Sequence, residues 1–420
     1  MTPRERVLAA INHEEPDRVP IDLGSTPSSG ISAVAYDRLK QHLGIASGRT
    51  RIYDVVQYLA QPEDAILERF GVDVIDVGRA FNDADEAWHN AQMPNGRPAQ
   101  YPHWFTPREG DGSWNAYHED GTRLATMPQG AVFFDQTCFP WIDGYPEGRA
   151  AMDEALDEAM DHVMWAKFAP TPWDRADEDG FWDTLRATTL RLRETSDKAL
   201  LLGIGSNLFE WGTFLRRMDN FLMDLYTDQE NVRTLMELLM ERHTAALEKA
   251  CEAVGDIVDI VKFGDDLGMD SGPFMGLDVY RDLFHEHRTR LCSCVHENST
   301  MHTMLHSCGS VYQYVPSFIE SGIEILNPVQ TNCRDMDPAR LKREFGDDIV
   351  FWGGGVDPRE ILNRGTPEQV RDDVLRRLDI FAPGGGYVFN TIHNVLAEVP
   401  PENVVACFDA ALGTRPVARP

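Results

Sequence analysis

HTMLHSC, residues 302–308, is apolar through its middle, polar at its end and closed by Gly309. A run of this form reads as a buried strand that delivers polar side chains at its carboxyl end. The side-chain period of two puts His306 and Cys308 on one face of it. Seven other runs share the pattern: RVPIDLG (18–24), VDVIDVG (72–78), ALLLGIGS (199–206), IVDIVKFG (257–264), IEILNP (323–328), IVFWGGG (349–355) and GYVFNTI (386–392). Between most of them lie amphipathic helical stretches, such as residues 221–255. Another, residues 366–385, opens with the helix-start triplet Thr366-Pro367-Glu368. Eightfold strand–helix alternation predicts a (β/α)8 TIM barrel forming a single domain over residues 1–420. A doubly wound open sheet is the alternative, because counting strands does not show closure. No Gly-x-Gly-x-x-Gly opens an early helix, which removes the dinucleotide-binding version.

The second and third runs are too far apart for one crossover. Residues 79–198 are therefore expected to form an inserted cap. Its first half reads as a β-meander, with the turn signal Glu119-Asp120-Gly121 inside GSWNAYHEDGTRLATMPQGAVFF, and its second half as helical. The segment is rich in Trp, Phe and Tyr, and is read either as a cover over one barrel mouth or as decoration that extends the core.

Acidic residues outnumber basic ones, 68 to 39, for a formal charge of −29, which argues against a nucleic-acid or anionic-membrane partner. There is no apolar run of membrane-spanning length, and the start MTPRERVLAAINHEEPDRVP lacks the apolar centre of a signal peptide, so a cytoplasmic protein is expected. Seven irregularly spaced cysteines predict free thiols, with one or two as metal ligands, and no disulfide framework.

In a barrel the strands' carboxyl ends build the active site. Those ends carry Asp22 with Ser25, Asp76, Ser206 with Asn207, Asp265 with Asp266, His306 with Cys308, Asn327 with Gln330, Asp357, and Asn390 with His393. An imidazole and a thiolate are good zinc ligands, and an open catalytic site uses three protein ligands. The alternative is a hydrogen-bonded core histidine beside a small apolar thiol. Asp265 or Asp266, one strand away, is a candidate third ligand or general base, and only one of two adjacent acids can point inward. Cys292 and Cys294 sit on a helical stretch, where residues two apart diverge.

RERVLAAINHEEPDRVPID, GDDLG with MGLDVYRDLF, HSCGS, WGGGVDPREILNRGTPEQV and FNTIHNVLAEVPPENV together resemble the uroporphyrinogen decarboxylase-like superfamily, which includes zinc methyltransferases of corrinoid-dependent methyl transfer. Two departures shape what the resemblance implies. True uroporphyrinogen decarboxylases carry an arginine-bearing RQAGR stretch after the first strand, and here that place reads DLGSTPSSG, without a cation for the substrate's carboxylates. The coenzyme M branch completes its His-x-Cys pair with a distant cysteine, expected near Gly385, and no cysteine is there.

The resemblance therefore implies a zinc-assisted methyltransferase of a corrinoid-dependent demethylation system, acting on a small methoxy-aryl or thiol substrate. His306 and Cys308 would hold the metal, and Asp265, Asp266, Cys333 or another residue would complete the site. Asp265, Asp266 and His393 are the catalytic candidates, and Asp22, Asn207, Asn327, Gln330 and Asn390 the substrate contacts. The corrinoid would arrive on a partner protein, and a homodimer is left open. A metal-independent decarboxylase using an Asp and His393, and a non-catalytic ligand-binding barrel, are the rival expectations.

Overall fold

The computed structural model of the chain describes residues 1–413; residues 414–420 of the expected domain lie outside them. A seven-stranded parallel sheet runs in sequence order through Val74–Asp76, Ala199–Gly205, Ile260–Gly264, His302–His306, Ile325–Asn327, Val350–Trp352 and Tyr387–Val388. Each of the seven lies inside one of the runs quoted above. The eighth position is held by residues 20–22. Ile21 forms a parallel bridge with Phe389, whose N–H donates to Pro20 O at 2.8 Å, and on the other side Asp73 N–H donates to Ile21 O at 2.8 Å. This segment thus joins the last strand to the first and closes the (β/α)8 barrel. Pro20 has no N–H to extend the ladder, which suits a single bridge better than a longer strand.

The two ends of the barrel differ in chemistry. Val74, Leu201, Ile260, Met304, Ile325, Val350 and Val388 form one apolar cluster with Val7, Ala10 and Ile11 of the helix Pro3–Ile11, which plugs the amino end. Thr2 and Glu5 form a reciprocal capping box at that helix's start. Arg6 and Arg18 each bond Asp73 at 2.7 Å, tying the plug and the closing segment to the barrel. Two residues farther along, the period of two replaces five of these apolar positions by Asp76, Lys262, His306, Asn327 and Asn390, while Gly203 follows Leu201 and Trp352, a member of the same apolar cluster, follows Val350. The carboxyl end is therefore polar.

Within residues 79–198, Trp88–Gln92 and Pro98–Pro102 form an antiparallel hairpin. A four-stranded antiparallel sheet orders Asp135–Gln136, Arg123–Pro128, Ser113–Tyr117 and Arg108–Gly110, and the Glu119-Asp120-Gly121 turn joins its two central strands. The helices Arg149–Asp161, Met164–Lys167 and Phe181–Thr195 follow. Trp165 stacks on Phe214 of the helix Phe209–Arg216, with centroids 6.1 Å apart, which lays this segment against the loops at the polar end of the barrel. Among the described residues no helix is long and apolar enough to cross a membrane.

Candidate active site and metal centre

A cavity of about 660 Å³ opens at the polar end. It is lined by the polar side chains of Asp54, Asp76, Glu210, Lys262, Asp266, His306 and His393, by Phe133, Met160, Trp165, Phe168 and Trp173 of the 79–198 segment, and by Trp211 and Phe214 of the helix Phe209–Arg216. Lys262 is the sole lysine or arginine among these lining residues. It comes from the centre of an apolar strand, where the period of two aims it inward. Burial lowers its pKa, opposed by Glu210, Asp266 and Asp76. Burial raises Asp76 to about 7, and raises Glu210 well above the usual carboxylate range, reinforced by the charges of Asp266 and Asp265. Glu210 Oε2 accepts a hydrogen bond from Asn207 Nδ2 at 2.5 Å.

His306, Cys308 and His393 each offer one donor atom, and the three atoms lie within 4.8 Å of one another. Cys308 Sγ is 3.5 Å from His306 Nε2, and the two imidazole centroids are 6.0 Å apart. His306 is fixed in orientation. Its Nδ1 lies 2.9 Å from Asn327 Oδ1, an oxygen that also accepts from the Ser28 hydroxyl at 2.7 Å, while Asn327 Nδ2 donates to Trp352 O at 3.2 Å. With the amide so oriented, Nδ1 carries the proton and Nε2 presents its lone pair toward Cys308. Burial lowers the pKa values of both His306 and His393, which favours the neutral, metal-binding form. Burial also raises the Cys308 thiol. A divalent cation would reverse that effect. Two neutral imidazoles and a thiol, one ring anchored through its far nitrogen, are the donor set and outer hydrogen bonding that zinc uses, so these residues fit a zinc ion.

The candidates from the sequence separate cleanly. Asp266 lines the cavity: its Oδ1 accepts from Cys308 N at 2.8 Å and stands 3.4 Å from His306 Nε2. Asp265 points away. Its oxygens accept from the N–H groups of Leu208, Phe209 and Glu210 at 3.0–3.3 Å and from Arg288 at 2.9 Å, so it caps the helix Phe209–Arg216. Asn207 lines the cavity, whereas Asp22, Asn327, Gln330 and Asn390 do not. Asp22 is buried, accepting from Trp352 Nε1 at 2.9 Å and Ser25 N at 3.1 Å, and burial raises it to about 6. Asn327 orients His306, and Gln330 accepts from Gly309 N. Asn390 is buried with its amide unbonded.

The position near Gly385 is corrected by the structure. Gly385 packs against the backbone of Glu14, and its carbonyl accepts from Lys342 Nζ at 2.7 Å, at the amino end of the last strand. A cysteine there would face the plugged end. The residue that reaches His306 and Cys308 is His393, carried by the loop beyond the same strand. Glu210 and Lys262 were missed among the sequence candidates. A charge inside the apolar run IVDIVKFG was the available signal for Lys262, and Glu210 stands only three residues beyond Asn207.

The uroporphyrinogen decarboxylase (URO-D) family model matches residues 174–413. Uroporphyrinogen decarboxylase of Psychromonas ingrahamii is 39% identical over 75 residues, covering 18% of this chain and 20% of that protein. The enzyme of Hydrogenovibrio crunogenus is 30% identical over 104 residues, covering 25% and 27%. The matched segments thus span about a quarter or less of these curated relatives. A solved methyltransferase from Methanosarcina mazei superposes with a TM-score of 0.58 over 98% of each chain at 17% identity, a likeness of fold. With more than half of its length matched by the family model, the chain belongs to the uroporphyrinogen decarboxylase (URO-D) family.

Proposed function

We propose that this chain is a zinc-dependent methyltransferase that moves a methyl group between a small substrate, held under the aromatic cover, and a corrinoid protein partner or a thiol. The observation that carries the reading is the convergence of His306 and His393, which line the cavity, with Cys308 beside them. When bound there, zinc supplies Lewis acidity toward an ether oxygen or thiol of the substrate. Asp266 positions the site through the Cys308 N–H. Glu210, its pKa raised by burial and by the neighbouring charges of Asp266 and Asp265, serves as general acid at the leaving oxygen or sulfur. Trp165, Trp173, Trp211 and Phe214 exclude water and favour an apolar or aryl group.

The same lining weighs against a porphyrinogen bearing eight carboxylates. Asp54, Asp76, Glu210 and Asp266 share the cavity with Lys262 as its lone fixed cation. The decarboxylase reading draws its support from the family match, and would use Asp266 and His393 without a metal. Metal analysis combined with a methyl-transfer assay, using methylcobalamin as the probe, separates the two. Stoichiometric zinc, lost together with transfer in His306→Ala, Cys308→Ala and His393→Ala, supports the methyltransferase. A metal-free protein that releases carbon dioxide from a small carboxylic acid sinks it.

A further inference from the structure

At the outer edge of the 79–198 segment, far along the chain from the cavity ligands, the hairpin turn after Ser113–Tyr117 meets the end of the helix Arg149–Asp161. His118, Asp120 and His162 come together there, with one donor atom from each within 4.8 Å of the others. The two rings lie 4.1 Å apart and tilted by 32°. Both imidazoles are half-buried, which sets them apart from solvated surface histidines.

Each ring is anchored by its outer nitrogen. His118 Nε2 lies 2.8 Å from Asp161 Oδ2, and His162 Nδ1 lies 2.9 Å from the Glu158 carbonyl oxygen. Both partners are acceptors, so these nitrogens carry the protons. The inner nitrogens then present lone pairs to the one carboxylate between them: His118 Nδ1 is 3.0 Å from Asp120 Oδ1 and His162 Nε2 is 2.9 Å from Asp120 Oδ2. Two backbone donors also reach the cluster: the Asp120 N–H lies 3.3 Å from His118 Nδ1, and the Thr122 N–H donates to Asp120 Oδ1 at 2.8 Å. Two ring lone pairs facing one carboxylate at these distances favour a positive centre between them, either an extra proton or a metal ion. Lys167 does not provide it, since its ammonium is engaged by Glu119 at 2.9 Å and Asp161 at 3.1 Å.

The two spacings from the rings to Asp120 match those of metal ligands. Donor atoms that share a zinc at about 2.0–2.2 Å are themselves about 3 Å apart. Histidines that ligate metals characteristically spend their other ring N–H on a carboxylate or a backbone carbonyl, and here one ring uses each. His162 also follows directly on the helix Arg149–Asp161, whose carboxyl end favours positive charge.

We propose that His118, Asp120 and His162 form a second divalent-cation site, for zinc or another transition metal that prefers nitrogen and oxygen donors. The cation ties the hairpin turn to the helix end. That helix end leads straight into the cavity's cover, because Met160, Trp165 and Phe168 flank His162 in sequence and line the cavity. The site is a strut that holds the cover in place.

The test strips the full-length protein with chelator, reloads it with Co²⁺ and counts equivalents by equilibrium dialysis. The wild-type protein is expected to bind one more equivalent than a His118→Ala/His162→Ala variant, with Kd tighter than about 10 µM, so that excess cation raises its thermal midpoint. Asp120→Asn, which keeps the shape of the turn, is expected to lose the same equivalent. The lost cobalt should show a nitrogen–oxygen spectrum without a thiolate charge-transfer band, which separates it from any ion lost in Cys308→Ala. Equal counts in the wild type and both variants overturn the proposal, and so does a thermal midpoint that cobalt moves equally in all three.

Discussion

His306 Nδ1 and Asn327 Oδ1 stand 2.9 Å apart across neighbouring strands, and this bond decides which nitrogen of His306 faces Cys308. Asn327→Ala removes the acceptor and frees the ring to rotate or change tautomer. Zinc affinity, measured by competition with a chromogenic chelator, should fall about ten- to a hundredfold while the stoichiometry is retained. His306→Ala should abolish binding. Unchanged affinity in Asn327→Ala would show that the bond only packs the barrel.

Glu210 provides a second expectation. Because burial and the charges of Asp266 and Asp265 raise its pKa and so favour the protonated carboxyl, Glu210→Gln preserves size and a donor group, so zinc content and thermal midpoint should hold. Methyl transfer should drop by about 10² or more, because the amide cannot surrender a proton. Wild-type turnover in this variant would remove Glu210 from the chemistry.

Asp265 supports the fold. Asp265→Ala strips the N-terminal cap from the helix Phe209–Arg216 and leaves Arg288, itself buried, without its carboxylate. Breaking a buried pair from one side costs about 3–5 kcal/mol, to be read as a lowered urea midpoint. A catalytic base at this position would instead give lost turnover at unchanged stability.

Asp22 makes stability depend on pH in a defined direction. Burial raises its pKa from the usual value near 3.8 to about 6, so the folded state holds the proton more tightly than the unfolded chain. The associated stabilisation is complete below pH 3.8 and is lost as pH rises through about 6. A shift of this size corresponds to about 3 kcal/mol. Denaturation between pH 4.5 and pH 7.5 should show the advantage of wild type over Asp22→Asn shrinking toward the upper end. An advantage that grows with pH would mean that folding lowers the pKa of Asp22.

The barrel was readable in the chain because each strand repeats a local rule: an apolar run, then a polar residue at the end, then a turn. Closure was not, since the eighth position is a single bridge at Ile21 that depends on Phe389, hundreds of residues away. His306 and Cys308 were found as a pair because two residues on one strand share a face by backbone geometry alone. Asp265 and Asp266 look equivalent as neighbours in the sequence. The structure separates them, because one meets a helix N-terminus and Arg288 while the other meets Cys308 N–H.

The same division holds for the site as a whole. Local periodicity, capping and turn chemistry set out the strands, the helices and the end of the barrel where polar groups would gather. The approach of His393, instead of a residue near Gly385, to His306 and Cys308, the inward aim of Glu210, and the pairing of His118 with His162 all arose from folding. Each depends on where a loop returns across the mouth or against a helix end. Such paths are fixed by packing between segments distant in sequence, and no residue pattern within either segment encodes them.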